Sequence, residues 1–280
     1  MTWRVRVRHT TGYRYDSEVT ASYNEARLVP QTGPTQLTLE STVETVPRAR
    51  QQRYWDYWGT QVTSFDVHTP HTELEVTAVS VVETADATPP PVDCTWELLR
   101  SDPVRDEHVE LLVPSPRAVA DATLLAVVDE VAGLTPYETM TELIRRVREH
   151  VAYRPGSTGV STNAVEAWQL GAGVCQDIAH VSLALLRLAG IPARYVSGYL
   201  HPGGSAAAIG ETVRGESHAW VEAYLGAWYA FDPTNGVPAG ERHVVVARGR
   251  DYADVTPLKG VYAGGGSQSL GVVVEVTRLA

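Results

Sequence analysis

Cys175 stands at the mouth of a strongly apolar run. The stretch "GAGVCQDIAHVSLALLRLAGIP" extends from Gly171 to Pro192, and the only other cysteine in the chain is Cys94. A helix that starts at Cys175 offers the thiol unpaired backbone N–H groups and the positive end of its dipole, both of which favour thiolate over thiol. A thiolate nucleophile then needs a base and a group that orients the base. His218 opens "SHAWVEAYL" (Ser217–Leu225), and Asp232 closes the strand in "AWYAFDPTN" (Ala227–Asn235). If those two segments form an antiparallel hairpin, the two ends lie side by side. Cys175, His218 and Asp232 then stand as nucleophile, base and orienter.

Taken singly, each residue has an ordinary reading: an inert buried thiol, a strand histidine, a turn aspartate before Pro233. Together they form a catalytic set. Around them, Gln176, Asp177, His180, Trp220 and Asn235 are read as substrate-binding or supporting residues. Gln176 and Asp177 fall in the first helical turn, where an acid suits the dipole. His180 lies on the same helix, and Trp220 shares the His218 face of its strand. The nine histidines show no paired Cys or His spacing of the zinc type. No lysine accompanies the glycines of "PGGSAAAIG" to make a phosphate loop. Neither a metal nor a cofactor is therefore expected.

The triad makes a demand on the hairpin. His218, Trp220, Glu222 and Tyr224 share one strand face. A two-residue Gly226-Ala227 turn would set Asp232 opposite Val221, on the wrong face. A three-residue loop, Leu225-Gly226-Ala227, sets Tyr224 against Trp228 and Asp232 against Trp220, diagonal to His218 and within its reach. A three-residue loop or a bulge is therefore expected.

The elements that must position these residues fall into two halves. Trp3–Tyr15 alternates apolar and polar residues, with Arg4, Arg6 and Arg8 on one face, as a half-buried strand does. Gln36–Val46, Gln61–Thr69 and Glu73–Thr84 read as further strands, with a turn at Asp56–Gln61 that uses Gly59. The fold class is α+β: an N-terminal antiparallel β-sandwich-like domain over residues 1–100, then a catalytic core over 101–280. The prolines of "TADATPPPVD" (Thr84–Asp93) mark the connector. In the core, helices are expected from Pro116 to Ala132, from Pro136 behind a Thr135/Glu138 capping box, over Asn163–Leu170, and from Cys175 to Gly190. Ala193–Leu200 and Ser269–Leu279 read as strands. The last strand, about 269–279, is expected to pack on the N-terminal domain beside Trp3–Tyr15, because both alternate and neither has a local partner. "HPGGSAAAIGETVRGE" (His201–Glu216) reads as a small-residue flap beside His218.

Bulk properties exclude several partners. A net charge of −10 argues against nucleic acid and anionic membranes. With 44% hydrophobic and 20% charged residues, 280 residues can bury a sizeable core without disulfides. No apolar run reaches membrane-spanning length, and the N-terminus lacks an apolar signal core, so the cytoplasm is the expected compartment and both thiols are expected to stay reduced.

Four spaced motifs, "GVCQDIAH", "GIPARYVSGYL", "SHAWVEAY" and "FDPTN", together resemble the bacterial transglutaminase-like family of the papain-like cysteine enzymes. "YRY" and "ARLVP" (Ala26–Pro30) resemble the β-domain that precedes that core, and "GRDYADVTPLKGVYAG" (Gly249–Gly264) the segment after the aspartate. The resemblance implies a transglutaminase core in which Cys175 is the nucleophile, His218 the general base and acid, and Asp232 the orienting carboxylate. It implies acyl transfer on carboxamides through a thioester. The substrate is then a protein or peptide with an accessible amide, and an amine or water is the acceptor. A binding module on the same scaffold is the non-enzymatic alternative. Animal members use a tryptophan as second oxyanion donor. "GVSTNA" (Gly159–Ala164) has none, which leaves Ser161, Thr162, Asn163, Tyr153 or Gln169 as candidates. No loop shows calcium-ligand spacing, so calcium activation is not implied.

Overall fold

The computed structural model describes residues 2–203 and 207–280. Strands β1 (Trp3–Val19), β2 (Ala21–Ala26), β3 (Gln36–Val46), β4 (Gln51–Trp55), β5 (Gln61–Val67) and β6 (His71–Thr84) come first. Helices α1 (Trp96–Leu99), α2 (Asp102–Glu107), α3 (Ala122–Asp129) and α4 (Pro136–His150) follow. Next come β7 (Ala152–Tyr153), α5 (Ala164–Leu170), β8 (Ala172–Gly173) and α6 (Cys175–Leu188). The chain ends with β9 (Ala193–Leu200), β10 (Thr212–Tyr224), β11 (Trp228–Asp232), β12 (Val237–Pro238), β13 (His243–Gly249), β14 (Leu258–Ala263) and β15 (Ser267–Arg278). The architecture is α+β, as the composition of strands and helices along the chain suggested.

Among the described residues, nine strands form one antiparallel sheet. Its main path runs β12-β11-β10-β15-β1-β6-β3, with β9 on β10 and β13 on β9. The first and last strands do meet: β1 pairs with β15 from Val5 opposite Arg278 to Tyr15 opposite Ser267. On β1 the expected alternation holds, with Trp3, Val5, Val7 and His9 buried and the arginines outside. A second sheet, β14-β2-β5-β4, completes the sandwich. Tyr15, Leu28, Phe65, Leu74 and Val76 fill the space inside it. The strand β2 was not expected from sequence, nor were β4, β13 and β14.

β10 belongs to two neighbourhoods. Thr212–Gly215 pairs with β15, and Glu216–Ala223 pairs with β9. One strand thus carries the chain from the N-terminal sheet into the part that holds His218. The last five residues of the expected flap are therefore strand, because Thr212–Glu216 finds partners in β15 and β9. Residues 204–206 of that stretch lie outside the described residues.

α4, α5 and α6 form where their caps and apolar stripes predict, α1 and α2 were not expected, and α3 needs a correction. α4 begins with the Thr135/Glu138 capping box and Pro136, and buries Met140, Leu143, Ile144 and Val147. α5 opens with a second box, Asn163 with Glu166. α3, however, starts at Ala122 and not at Pro116. Asp121 caps it by accepting from the N–H groups of Thr123 and Leu124. The preceding residues are held by distant partners instead. Arg117 N–H donates to Asp251 Oδ2, and Arg117 C=O accepts from Ala164 N–H. These tertiary bonds outweigh the helix propensity of the segment. No described helix is long and apolar enough to cross a membrane.

Candidate active site

α6 packs on β9 and β10 and is almost wholly buried. Its start is set by Gly171, Ala172 and Gly173, just ahead of it. Gly171 ends α5 in the left-handed conformation (φ 62°). Ala172 and Gly173 then pair in parallel with Ala152 and Tyr153, and α6 starts at Cys175. Gly173 is required here, since a Cβ would stand 2.6 Å from Asp177 Cβ. Asp177 is buried and accepts from Val174 N–H at 2.8 Å and from Thr158 Oγ1 at 2.6 Å. It ties the loop ahead of α5 to the helix mouth that presents Cys175. Burial raises its carboxyl above the ordinary range, against those hydrogen bonds. Gln176 is half-buried, its amide 3.5 Å from Val160 C=O.

The hairpin takes the register that the triad requires. Tyr224 opposes Trp228, Glu222 opposes Ala230, and Val221 opposes Phe231. The loop is the three residues Leu225-Gly226-Ala227, with Gly226 at φ 81° and Leu225 N–H donating to Ala227 C=O. Asp232 thereby comes to the face of His218, whose Nε2–H donates to Asp232 Oδ2 at 2.7 Å. That bond leaves Nδ1 for Cys175. Burial by itself would depress the His218 imidazole. Its hydrogen bonds to Asp232 and to Cys175, with the charges of both, raise it to about 10.

Asp232 is fully buried and densely bonded. Oδ2 also accepts from Asn235 Nδ2 at 2.7 Å and from His243 Nε2 at 3.1 Å. Oδ1 accepts the N–H groups of Thr234 (3.0 Å) and Asn235 (3.1 Å). Burial would raise this carboxyl. The bonds to His218, His243 and Asn235 hold it far below the carboxylate range instead. Asn235 is therefore a support of Asp232. The three ring and carboxylate atoms lie within 4.8 Å of one another. Gly240 N–H donates to His243 Nδ1 at 3.2 Å, which puts the His243 proton on Nε2. The cluster is thus filled by hydrogen bonds among its own members.

His243 was missed from sequence. The available signal was the short apolar run Val244–Val246 between Gly240 and Gly249, which suits a buried strand. Two other expected site residues lie deeper than a substrate can reach. Trp220 is fully buried, its ring 6.2 Å from that of His218 and 5.2 Å from that of His243. It backs the histidines and does not wall an acyl pocket. His180 is also fully buried and accepts from Tyr252 N–H at 3.2 Å, so it holds the segment after β13. Among the candidate oxyanion donors, Asn163 is used in capping α5, and Thr162 Oγ1 accepts from Gly159 N–H. Cys94 is buried, and both cysteines are free thiols. A groove of about 540 Å³ lined by Tyr23, Glu25, Asp66 and Lys259 contains none of these residues, so cavity size does not mark the site.

The site face also buries an ion cluster. Glu222 accepts from Arg194 at 2.6 Å and from Arg248 at 2.8 Å, and Arg194 lies over the Trp228 ring at 3.9 Å. Opposite His218 stands Gly198. A Cβ there would meet Val244 C=O at 2.0 Å and Trp220 at 2.6 Å. Gly198→Ala is therefore expected to cost about 3 kcal/mol, read as a lowered urea midpoint. An unchanged midpoint would show that Trp220 and β13 yield freely.

Residues 126–233 match the transglutaminase-like superfamily, and residues 5–83 match the bacterial transglutaminase-like N-terminal region. An uncharacterised protein of Mycobacterium leprae is 48% identical over 279 residues, 99% of this chain and 100% of its own. One from Mycobacterium tuberculosis is 33% identical over 298 residues, 98% of this chain and 93% of its own. The crystal structure of a candidate cysteine protease from Cytophaga hutchinsonii shares the fold. Its TM-score is 0.80 at 24% identity, over 100% of this chain and 92% of that one. The chain belongs to the transglutaminase-like superfamily, with the bacterial transglutaminase-like N-terminal region ahead of its core.

Proposed function

We propose that this protein is a cysteine-dependent acyl-transfer enzyme acting on carboxamides of a protein or peptide, either a glutamine side chain or a peptide amide. The observation that carries the reading is His218, hydrogen-bonded through Nε2 to the buried Asp232 and paired on its other side with Cys175. Cys175 Sγ attacks the carboxamide carbon. The C–N bond breaks as His218 gives its proton to the departing ammonia or amine, and a thioester remains. An acceptor then attacks the thioester and passes its proton to His218, and the C–S bond breaks to restore the thiolate. A primary amine as acceptor yields an isopeptide link, and water yields a hydrolase. In this reading residues 101–280 carry the chemistry and residues 1–100 form the supporting β-domain, joined to the core through β15.

The reading is tested by alkylation with iodoacetamide near pH 7. Cys175 is expected to label stoichiometrically, ahead of the buried Cys94. Mass spectrometry of protein incubated with cell extract is expected to find an acyl adduct on Cys175. Added primary amine that enters the product selects transferase over hydrolase. An inert Cys175 in the folded protein would leave a binding module on the same scaffold.

A further inference from the structure

Acyl transfer needs one imidazole on the orienting carboxylate, and Asp232 has two. His243 opens β13, is 7% exposed, and reaches Asp232 Oδ2 at 3.1 Å. Its tautomer is set by Gly240 N–H at Nδ1, and the Trp220 ring lies across it with the two centroids 5.2 Å apart.

The strand that carries His243 is held by the N-terminal half of the chain. Gln36 clasps Val245 from both sides, donating to its C=O at 2.8 Å and accepting its N–H at 2.7 Å. Gln31 N–H donates to the same carbonyl at 3.0 Å. Thr84 Oγ1 donates to Glu241 C=O at 2.6 Å. The ring is therefore held from both directions along its strand.

The charged and titratable groups around His243 are Asp232 from β11, His218 and Glu222 from β10, the adjacent Arg242, and Asp86. Asp86 and Glu222 border the same small cavity, of about 30 Å³. Glu222 is committed to Arg194 and Arg248. Arg242 donates to His201 C=O. Burial pushes the His243 imidazole below its ordinary value, the bond to Asp232 opposes that, and the charge of His218 adds to it. Because Nδ1 accepts from Gly240 N–H and so carries no proton, His243 is the neutral member of the pair.

We infer that His243 is a positioning residue: its Nε2–H donates to Asp232 Oδ2, takes up part of the carboxylate charge, and so sets, through Asp232, how tightly His218 holds its proton. The inference rests on the acyl-transfer reading only in assigning His218 as acid and base. A base that holds its proton too tightly is slow to give it to the leaving group. Removing one of the three donors on Oδ2 leaves more negative charge for the His218 bond. Asn235 and Thr234 still hold Asp232 in place, so the change appears in proton affinity more than in geometry.

The test is nitrogen NMR of the full chain labelled with ¹⁵N-histidine. At pH 7, His243 is expected to be neutral with its proton on Nε2, and His218 to be protonated on both nitrogens. This measurement needs no variant. In His243→Phe, the midpoint for loss of the His218 proton is expected to rise by about one pH unit, a tenfold gain in proton affinity. In His243→Gln, which can still donate from its amide, it is expected to return to within a few tenths of wild type. The inference is overturned by a midpoint that stays or falls in His243→Phe, or by a wild-type His243 that is charged or carries its proton on Nδ1. If these results hold while Cys175 resists iodoacetamide, the histidine coupling stands and the acyl-transfer reading falls.

Discussion

Cys175→Ala is expected to lower carboxamide turnover by at least about 10⁴-fold and to leave the fold intact. Loss of a covalent nucleophile removes the whole two-step route, and what remains is binding and whatever stabilisation other groups give the transition state. The fold should survive because Cys175 is the first residue of α6 and only half-buried. Alanine suits a helix, and His218, which bonds to the sulfur, keeps its bond to Asp232. The checks are the melting temperature, expected within a few degrees of wild type, and the rate of ammonia release from a glutamine-containing protein. Undiminished turnover by the alanine variant would remove Cys175 from the mechanism.

Stability is expected to fall by about 5 kcal/mol between pH 7 and pH 4.5. Two buried imidazoles, His9 and His180, account for that figure, and His243, also pushed down by burial, adds in the same direction. Burial lowers His9 to about 4. It also lowers His180 to about 3, where the nearby Asp251 opposes the shift and Arg117 and Arg187 add to it. Both therefore stay neutral in the folded protein after they have charged in the unfolded one, whose value is 6.5. Above pH 6.5 neither state binds the extra proton and there is no effect. Below it the unfolded chain gains protons that the folded chain refuses, at about 1.4 kcal/mol per pH unit for each histidine. His218 has the opposite sign. Its folded value is raised, so its contribution is complete below pH 6.5 and is lost only as pH climbs toward about 10. It does not contribute to the acid slope. Urea midpoints at pH 7.0, 5.5 and 4.5 measure the effect, and His9→Leu should remove about half of it. Flat stability over that range would mean that these rings charge inside the fold or are not buried.

Much of the site was legible because its geometry follows from local rules. Side chains alternate along a strand, so the number of residues between His218 and Asp232 demands a three-residue loop or a bulge, and the loop is the form observed. Gly171, Asn163, Thr135 and Gly190 mark helix ends through their own backbone and side-chain chemistry, which neighbours within one turn decide. The α3 start was misplaced because Asp251 and Ala164, far away in the chain, compete for the backbone of Arg117.

The three chemical groups, their order, the elements that carry them and the pairing of the two terminal strands were legible in the residues alone. What surrounds Asp232 follows from long-range packing. His243 reaches it from a strand with no hairpin link to β11, and that strand is held by Gln36, 209 residues away along the chain. β10 serves both the N-terminal sheet and the site because β15 returns to lie between it and β1. Contacts of that kind depend on how the sheet closes. Sheet closure is the sum of pairings between distant strands, and no local pattern of residues encodes which distant backbone will supply the partner.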